Sequence, residues 1–382
     1  KAFEKEEIFL KNHVLCSAFN QKNYMKYSIF LTVFTLISTS VYSQLRVSES
    51  SATRGNSPSQ FIVAGHQVAI NGSSLSFASG VSNDINILTS LSGSLNASGV
   101  SLYEGSGTPL LTGSYNLQSG DNSVKVYIKP NGGYVVRENI ANFLFYDNSG
   151  KVQQSISNSS QSTEGESISE LAADPAFKTT VLFNPKIVRG GKEGSSAQVV
   201  NRNWTTTNIF YSGDRTISLV KVSKDGQFIA VVSSQSGSDD QVNITDRFGN
   251  ELGTFTFNQN IADVRFSGEG EYITIRSSSR VGVYSLLSGE REGSTSFRSD
   301  LHFAEFVPED NVIVALTADE TASVLTDVEL HTINIEARSI ERQDYSGSLG
   351  KSELLSIELQ RTRANQYTLS GLNKALNLNV SF

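Results

Sequence analysis

The chain has 382 residues, a formal net charge of -7 and only 18% charged residues. That length suits one large or two ordinary domains, and a mildly acidic chain without a basic cluster argues against nucleic acid or an anionic membrane surface as partner. One cysteine, Cys16, excludes a disulfide framework and a thiolate metal site.

The segments follow in chain order. Residues 1–24 contain no Met and read as an upstream extension outside the fold. Met25, the only Met, opens "MKYSIFLTVFTLISTSVYSQ". Lys26 supplies a positive start, an apolar stretch follows, and Val41-Tyr42-Ser43 places tolerable residues before a cleavage point at Gln44. Residues 25–43 therefore read as a secretory signal peptide. The apolar run is shorter than the ~20 residues that span a bilayer and is broken by Ser and Thr. No stable membrane span is expected after cleavage. Residues 44–65 are a linker or a closing strand, with "QLRVSES" and "QFIVAGH" the two candidates for that strand.

From residue 66 onward the chain repeats. "VKVYIKPNGGYVVREN" (124–139), "SELAADPAFKTTVLFN" (169–184), "LVKVSKDGQFIAVVSS" (219–234), "ADVRFSGEGEYITIRS" (262–277) and "HFAEFVPEDNVIVALT" (302–317) share one pattern. It is an alternating strand, a turn of Asp, Glu, Asn, Pro or Gly, and a second strand. A second kernel follows most copies: "VSLYEGSGTPLL" (100–111), "NFLFYDNSGKVQQ" (142–154), "VNITDRFGNELGTF" (242–255) and "VGVYSLLSGEREG" (281–293). Gly226 and Gly270 lie 44 residues apart, and Gly270 and Asp310 lie 40 apart. A period of ~40–45 residues with four strands per copy is the signature of a β-propeller blade. A four-stranded blade that is apolar on both faces must pack against a neighbour on each side, hence near-continuous apolar strands such as "FIAVV" and "NVIVAL".

"VRFSGEGEYITI" and "VKVSKDGQFIAV" resemble the inner-strand motif of the WD40-like and YVTN-like propeller families, exported bacterial type. "FLFYD" and "VNITD" sit where WD40 repeats end in Trp-Asp. The Gly-His and Trp-Asp of true WD40 repeats are absent. The resemblance covers residues 66–382 and implies an all-β propeller with copies near 66–116, 121–160, 166–212, 216–258, 260–298, 300–341 and 352–382. Seven blades are expected, within a range of six to eight. The last copy stops after about three strands, so either an N-terminal strand completes it or the chain continues past Phe382.

Chemistry is sparse. His13, His66, His302 and His331 are isolated, with no metal-ligand spacing. His302 reads as a packed or rim residue. No Gly-x-Ser-x-Gly elbow is present, and no cofactor motif is recognised. "RGGKEGSS" offers Arg189 and Lys192 in a Gly-rich loop that could cradle an anion, or a plain inter-strand loop. Asp239 and Asp240 in "GSDDQVN" could bind Ca²⁺ weakly, or form a solvated hairpin tip. Trp204, in the glycosylation sequon Asn203-Trp204-Thr205, is either core between blades or an exposed anchor for a sugar or a protein.

Two functional expectations follow. One is an exported, monomeric binding or scaffolding propeller that meets protein or glycan partners at its rim, periplasmic or secreted, without catalysis. The other is the N-terminal propeller of a longer prolyl-oligopeptidase-like hydrolase, or a lactonase-like propeller enzyme.

Overall fold

The computed structural model describes residues 44–51, 60–63, 66–69, 84–87, 92–96, 99–103, 109–114, 125–128, 134–137, 140–147, 151–163, 165–174 and, from 176 to 381, all but 259, 269, 322–323, 351–353, 355–356 and 371–373. The chain divides into two units, residues 1–44 with 381–382 and residues 45–380. Of the first, only Gln44 and Ser381 are described, as strand ends. The packing below belongs to the second. The expected upstream extension and signal peptide, 1–43, lie outside the described residues.

Among the described residues there is no α-helix, and a 3-10 turn spans Pro308–Asp310. Five consecutive four-stranded meanders run along the chain. The first comprises Lys125–Ile128, Tyr134–Arg137, Asn142–Tyr146 and Val152–Ser157. The second comprises Glu170–Ala173, Thr180–Arg189, Lys192–Val200 and Thr206–Ser212. The third comprises Thr216–Val222, Phe228–Ser234, Asp240–Asp246 and Glu251–Phe257. The fourth comprises Asp263–Phe266, Tyr272–Arg276, Arg280–Ser285 and Arg291–Ser296. The fifth comprises Asp300–Val307, Val312–Glu320, Val324–Asn334 and Ser339–Tyr345. A sixth sheet takes Glu358–Arg363, Gln366–Ser370 and Lys374–Ser381 from the end of the chain. Its fourth strand is Gln44–Ser51, beside Lys374–Ser381. "QLRVSES" is thus the segment that completes the last sheet, and "QFIV" instead pairs with His66–Ala69.

Among the described residues of 66–116, the strands do not join in one four-stranded sheet. Ser92–Asn96, Gly99–Tyr103 and Pro109–Ser114 make a three-stranded sheet. Asp84–Ile87 joins the first meander instead, parallel to Lys125–Ile128. This part of the sequence is rich in Ser, Gly and Asn, with few of the β-branched residues that fill a two-sided strand.

Alternation along each central strand explains the stacking. In Phe228–Ser234, Ile229 and Val231 join the core against the second sheet, whereas Ala230 and Val232 join the core against the fourth. In Val312–Glu320, Ile313 and Ala315 face the fourth sheet, and Val314 and Leu316 face the sixth. Tyr127, Val135 and Phe143 meet Leu171 and Leu182 between the first and second sheets. The second to fifth sheets are therefore apolar on both faces and pack on their chain neighbours. Each fully buried Val, Leu or Ile contributes ~1.5–3 kcal/mol over its exposed state.

The turns repeat as well. Between first and second strands, Asp174 Oδ1 accepts from Thr179 N–H (2.6 Å), Ser223 Oγ from Phe228 N–H (2.9 Å), and Ser267 Oγ from Tyr272 N–H (3.1 Å). The fourth residue of each turn adopts a left-handed conformation: Phe177, Gly226, Gly270 and Asn311. Hence Ser-x-x-Gly recurs. The counterpart of Gly270 is Asn311, one residue beyond the Asp310 that sequence spacing selects. A bulge recurs between third and fourth strands, at Phe145/Tyr146, Ala197/Gln198, Ile244/Thr245 and Val283/Tyr284. Bulges increase strand twist.

Candidate functional site

Two regions of the stack carry side chains with binding or electrostatic potential. The first is where the opening strands of successive sheets meet. Lys221 Nζ lies 3.5 Å from Asp263 Oδ1. Arg265 Nε is 3.1 Å from Asp263 Oδ2, and its Nη1 is 3.3 Å from Glu305 Oε2. The same Nη1 donates to the Ile357 carbonyl at 3.3 Å, and the guanidinium lies 4.5 Å over the Phe303 ring. Lys224 Nζ reaches Glu358 Oε2 at 3.9 Å. Arg265 thus bridges the fourth sheet to the sixth, and Lys224 links the third to the sixth. Side chains at or next to the opening strands of sheets that are not chain neighbours therefore meet here.

The electrostatics of this belt are uneven. Burial alone would raise the Asp263 carboxyl, but Lys221, Arg265 and Arg276 reverse that and hold it below its ordinary range. Glu305 is raised, because burial outweighs the attraction of Arg265 and Lys224 and because Glu358 adds repulsion. Burial lowers Arg276, with Asp263 opposing. The belt is a charge-paired lining that joins sheets.

A related clip joins the fifth and sixth sheets. Asp310 accepts two hydrogen bonds from Arg361, at 2.7 and 2.8 Å. It also accepts from Asn365 N–H at 3.1 Å and from the Tyr367 hydroxyl at 2.9 Å. The Arg361 hydrogen bonds, against some burial, hold its carboxyl low. Burial and the adjacent carboxylate push the Tyr367 hydroxyl up. In the third sheet, Asp225 occupies the same place in the turn and instead accepts from Ser223 Oγ and Gln227 N–H.

The second region is the set of turns between third and fourth strands. In the second sheet this turn is Asn201-Arg202-Asn203-Trp204-Thr205, with Trp204 left-handed at φ 64. Trp204 is 36% exposed and meets Phe145 of the first sheet edge-on at 5.1 Å. It is neither plain core nor a free anchor: one edge rests on the neighbouring sheet and the remainder faces solvent. The matching turn of the third sheet exposes Phe248 by 60%, with Arg247 4.7 Å over its ring. In the fourth sheet, Leu287 is 97% exposed. These turns tuck against neighbouring outer strands. A Cβ on Gly249 would lie 2.9 Å from Thr207 Cγ2 of the second sheet's outer strand, and Ile335 Cγ2, in the matching turn of the fifth sheet, lies 2.8 Å from where a Cβ on Gly293 of the fourth sheet's outer strand would be. Three consecutive sheets therefore present an aromatic or large aliphatic side chain from one repeated turn.

The other residues singled out from sequence do not join Trp204. Arg189 and Lys192 face each other across the Gly190-Gly191 turn, at the opposite end of the second sheet. Both glycines are left-handed, which accounts for the Gly-rich composition as a tight hairpin turn. The Asp239 carbonyl accepts from Arg215 Nη2 at 2.7 Å. Asp240 is buried, and its carboxylate accepts from Ile261 N–H at 2.8 Å, stitching the third sheet to the approach of the fourth. His302 Nε2 lies 3.2 Å from the Ala318 carbonyl. His331 is buried, with Thr317 Oγ1 at 2.8 Å, Glu329 at 3.6 Å and Phe297 edge-on at 5.0 Å. The His66 side chain lies outside the described residues. No group of three or more His, Cys, Asp or Glu among the described residues is placed to hold a metal ion. No helix among them is long and apolar enough to cross a membrane.

Sequence reasoning missed Phe248 and Leu287. The signal was available: "NRNWT", "DRFGN" and "SLLSG" each carry a large apolar residue in the third-to-fourth turn, with Trp204 one position later than Phe248 and Leu287 and in the left-handed place that Gly249 holds in the third sheet.

No family model matches the chain, and no curated protein matches it. Among solved structures it is similar to a chain of the "Crystal Structure of Mitotic Checkpoint Complex", at 11% sequence identity and a TM-score of 0.41. The match covers 77% of this chain and 86% of that one. A likeness that distant says nothing about function.

Proposed function

We propose that the chain is an exported β-propeller, of the WD40-like kind, that works as a protein-binding scaffold. The propeller reading is supported by four-stranded sheets stacked face to face whose opening strands converge on one charged belt. Export is supported by the leader-like segment at 25–43. Binding is supported chiefly by one observation: Trp204, Phe248 and Leu287 project from the same turn of three consecutive sheets. Exposed aromatic side chains, Trp above all, anchor protein partners, and neighbouring exposed apolar side chains extend such a contact surface. A glycan stacked on Trp204 is the secondary possibility that this row permits.

The test is a comparison of captures from the native exported fraction. One bait is the unaltered protein, one carries Trp204→Ala, Phe248→Ser and Leu287→Ser together, and one carries Arg189→Ala and Lys192→Ala at the opposite end. A partner retained by the first and third baits and lost at least tenfold on the second supports the reading. Equal capture by all three removes the row as the binding surface. Hydrolysis of ester, peptide or glycoside substrates by the purified protein would favour the enzyme alternative.

A further inference from the structure

The segment Gln44–Ser51 carries an inference that rests on the export reading. Sequence places a cleavage point between Ser43 and Gln44. The strand Gln44–Ser51 completes the sixth sheet. Cleavage there would make glutamine the first residue of that strand. We infer that Gln44 is a modification site: once released, its α-amine closes onto its own side chain to give an N-terminal pyroglutamate.

The chemistry needs no oxidant or co-substrate. The neutral α-amine nitrogen attacks Cδ of the side-chain amide and forms a five-membered lactam. The Cδ–N bond breaks, and the amide nitrogen leaves as ammonia, taking a proton from the attacking amine. The step is open only to an N-terminal glutamine, because elsewhere the backbone nitrogen is an acylated amide.

The structure supplies a reason for the modified terminus to suit the fold. Leu45 is buried in the core between the fifth and sixth sheets, packed with Leu376, Leu378 and Val314. Glu49 and Ser50 fix the other end of the strand through hydrogen bonds from Tyr345 Oη and Asn377 Nδ2, at 2.8 and 2.9 Å. A free α-ammonium, with an ordinary pKa of ~7.7–8.0, would put a charge one residue from that core. The lactam is neutral and keeps one N–H donor and one carbonyl acceptor for the sheet edge.

The test expresses the full chain with its leader, recovers the exported protein and cuts it after glutamate, so that the terminal peptide is Gln44–Glu49. The expected result is this peptide lighter by one ammonia in most of the material, with stepwise amino-terminal degradation blocked. Gln44→Ala, which leaves Val41 to Ser43 intact, should give an unblocked terminus. A Gln44–Glu49 peptide at full mass, with open degradation, overturns the modification and leaves export standing. A peptide spanning Ser43 and Gln44 in the exported fraction overturns both.

Discussion

His331 shows how a residue type associated with catalysis serves as core. It lies against Thr317 and Phe297 on the third strand of the fifth sheet, and burial, with help from the Arg342 charge, brings its pKa down from 6.5 to about 4. The unfolded chain therefore takes up a proton near pH 6.5 that the folded chain refuses until about 4. The stability it contributes is complete above the unfolded value and falls as pH drops through that window, by on the order of 2–3 kcal/mol. Urea midpoints measured from pH 7.5 to 4 should show this slope in the unaltered protein and lose that share of it in His331→Gln. Parallel slopes would rule His331 out as its source. Asp310 behaves differently. Asp310→Ala leaves Tyr367 Oη and Asn365 N–H without their acceptor, whereas Arg361→Ala removes a partly exposed partner. The aspartate variant should lower the unfolding midpoint more than the arginine variant, and the double variant should add little to Asp310→Ala alone. Strict additivity would show that the clip does not act as a unit.

At the scale of strands and turns, much was legible because the repeat is physical. A two-faced strand needs apolar residues at successive positions, and its turn needs a hydroxyl or carboxylate acceptor followed by a left-handed residue. Those needs write "VSKDG" and "FSGEG" into the sequence. What was illegible was the use of equivalent positions for different tasks. Asp225 and Asp310 share a place in the turn, yet one organises its own loop and the other clamps the next sheet. Trp204 could not be assigned from its sequon, because its exposure depends on Phe145 in another sheet. Arg189 and Lys192 stayed open in the sequence between an anion cradle and a plain inter-strand loop, because Gly-Gly suits both. The glycines themselves give a paired test. Gly289 sits at φ 73, and a Cβ added there would meet nothing within 4 Å, so Gly289→Ala should cost only backbone strain, ~1 kcal/mol. Gly270 has the same φ, but a Cβ there would run into the Phe228 ring, so Gly270→Ala should cost clearly more, ~2–4 kcal/mol. Chemical denaturation of the two variants decides it, and equal losses would contradict the close approach of the third and fourth sheets.

The whole molecule is organised by closure of the sixth sheet and by convergence of opening strands. Leu45 belongs to a core built almost entirely from residues beyond 300. Leu45→Ala should therefore cost ~2–4 kcal/mol, as a central core leucine does, and not the few tenths of an exposed terminal residue. Sequence pointed to a missing strand and offered two candidates. It did not choose between them, because Leu45 and Val47 alternate with polar residues while Phe61 to Ala64 run on continuously, both patterns suit a strand, and only the partners decide. The seven-copy count came from two recurring kernels and their period, which do not say with which sheet a strand pairs: among the described residues of 66–116, Asp84–Ile87 pairs with the first sheet. Convergence places Lys224, in the first turn of the third sheet, beside Glu358 of the sixth. Zero-length carbodiimide coupling of the monomer reads this directly. It should join Lys224 to Glu358, which lie 3.9 Å apart, alongside the internal control Lys186–Glu193 of the second sheet. Recovery of the control with no Lys224–Glu358 link would contradict the converging arrangement.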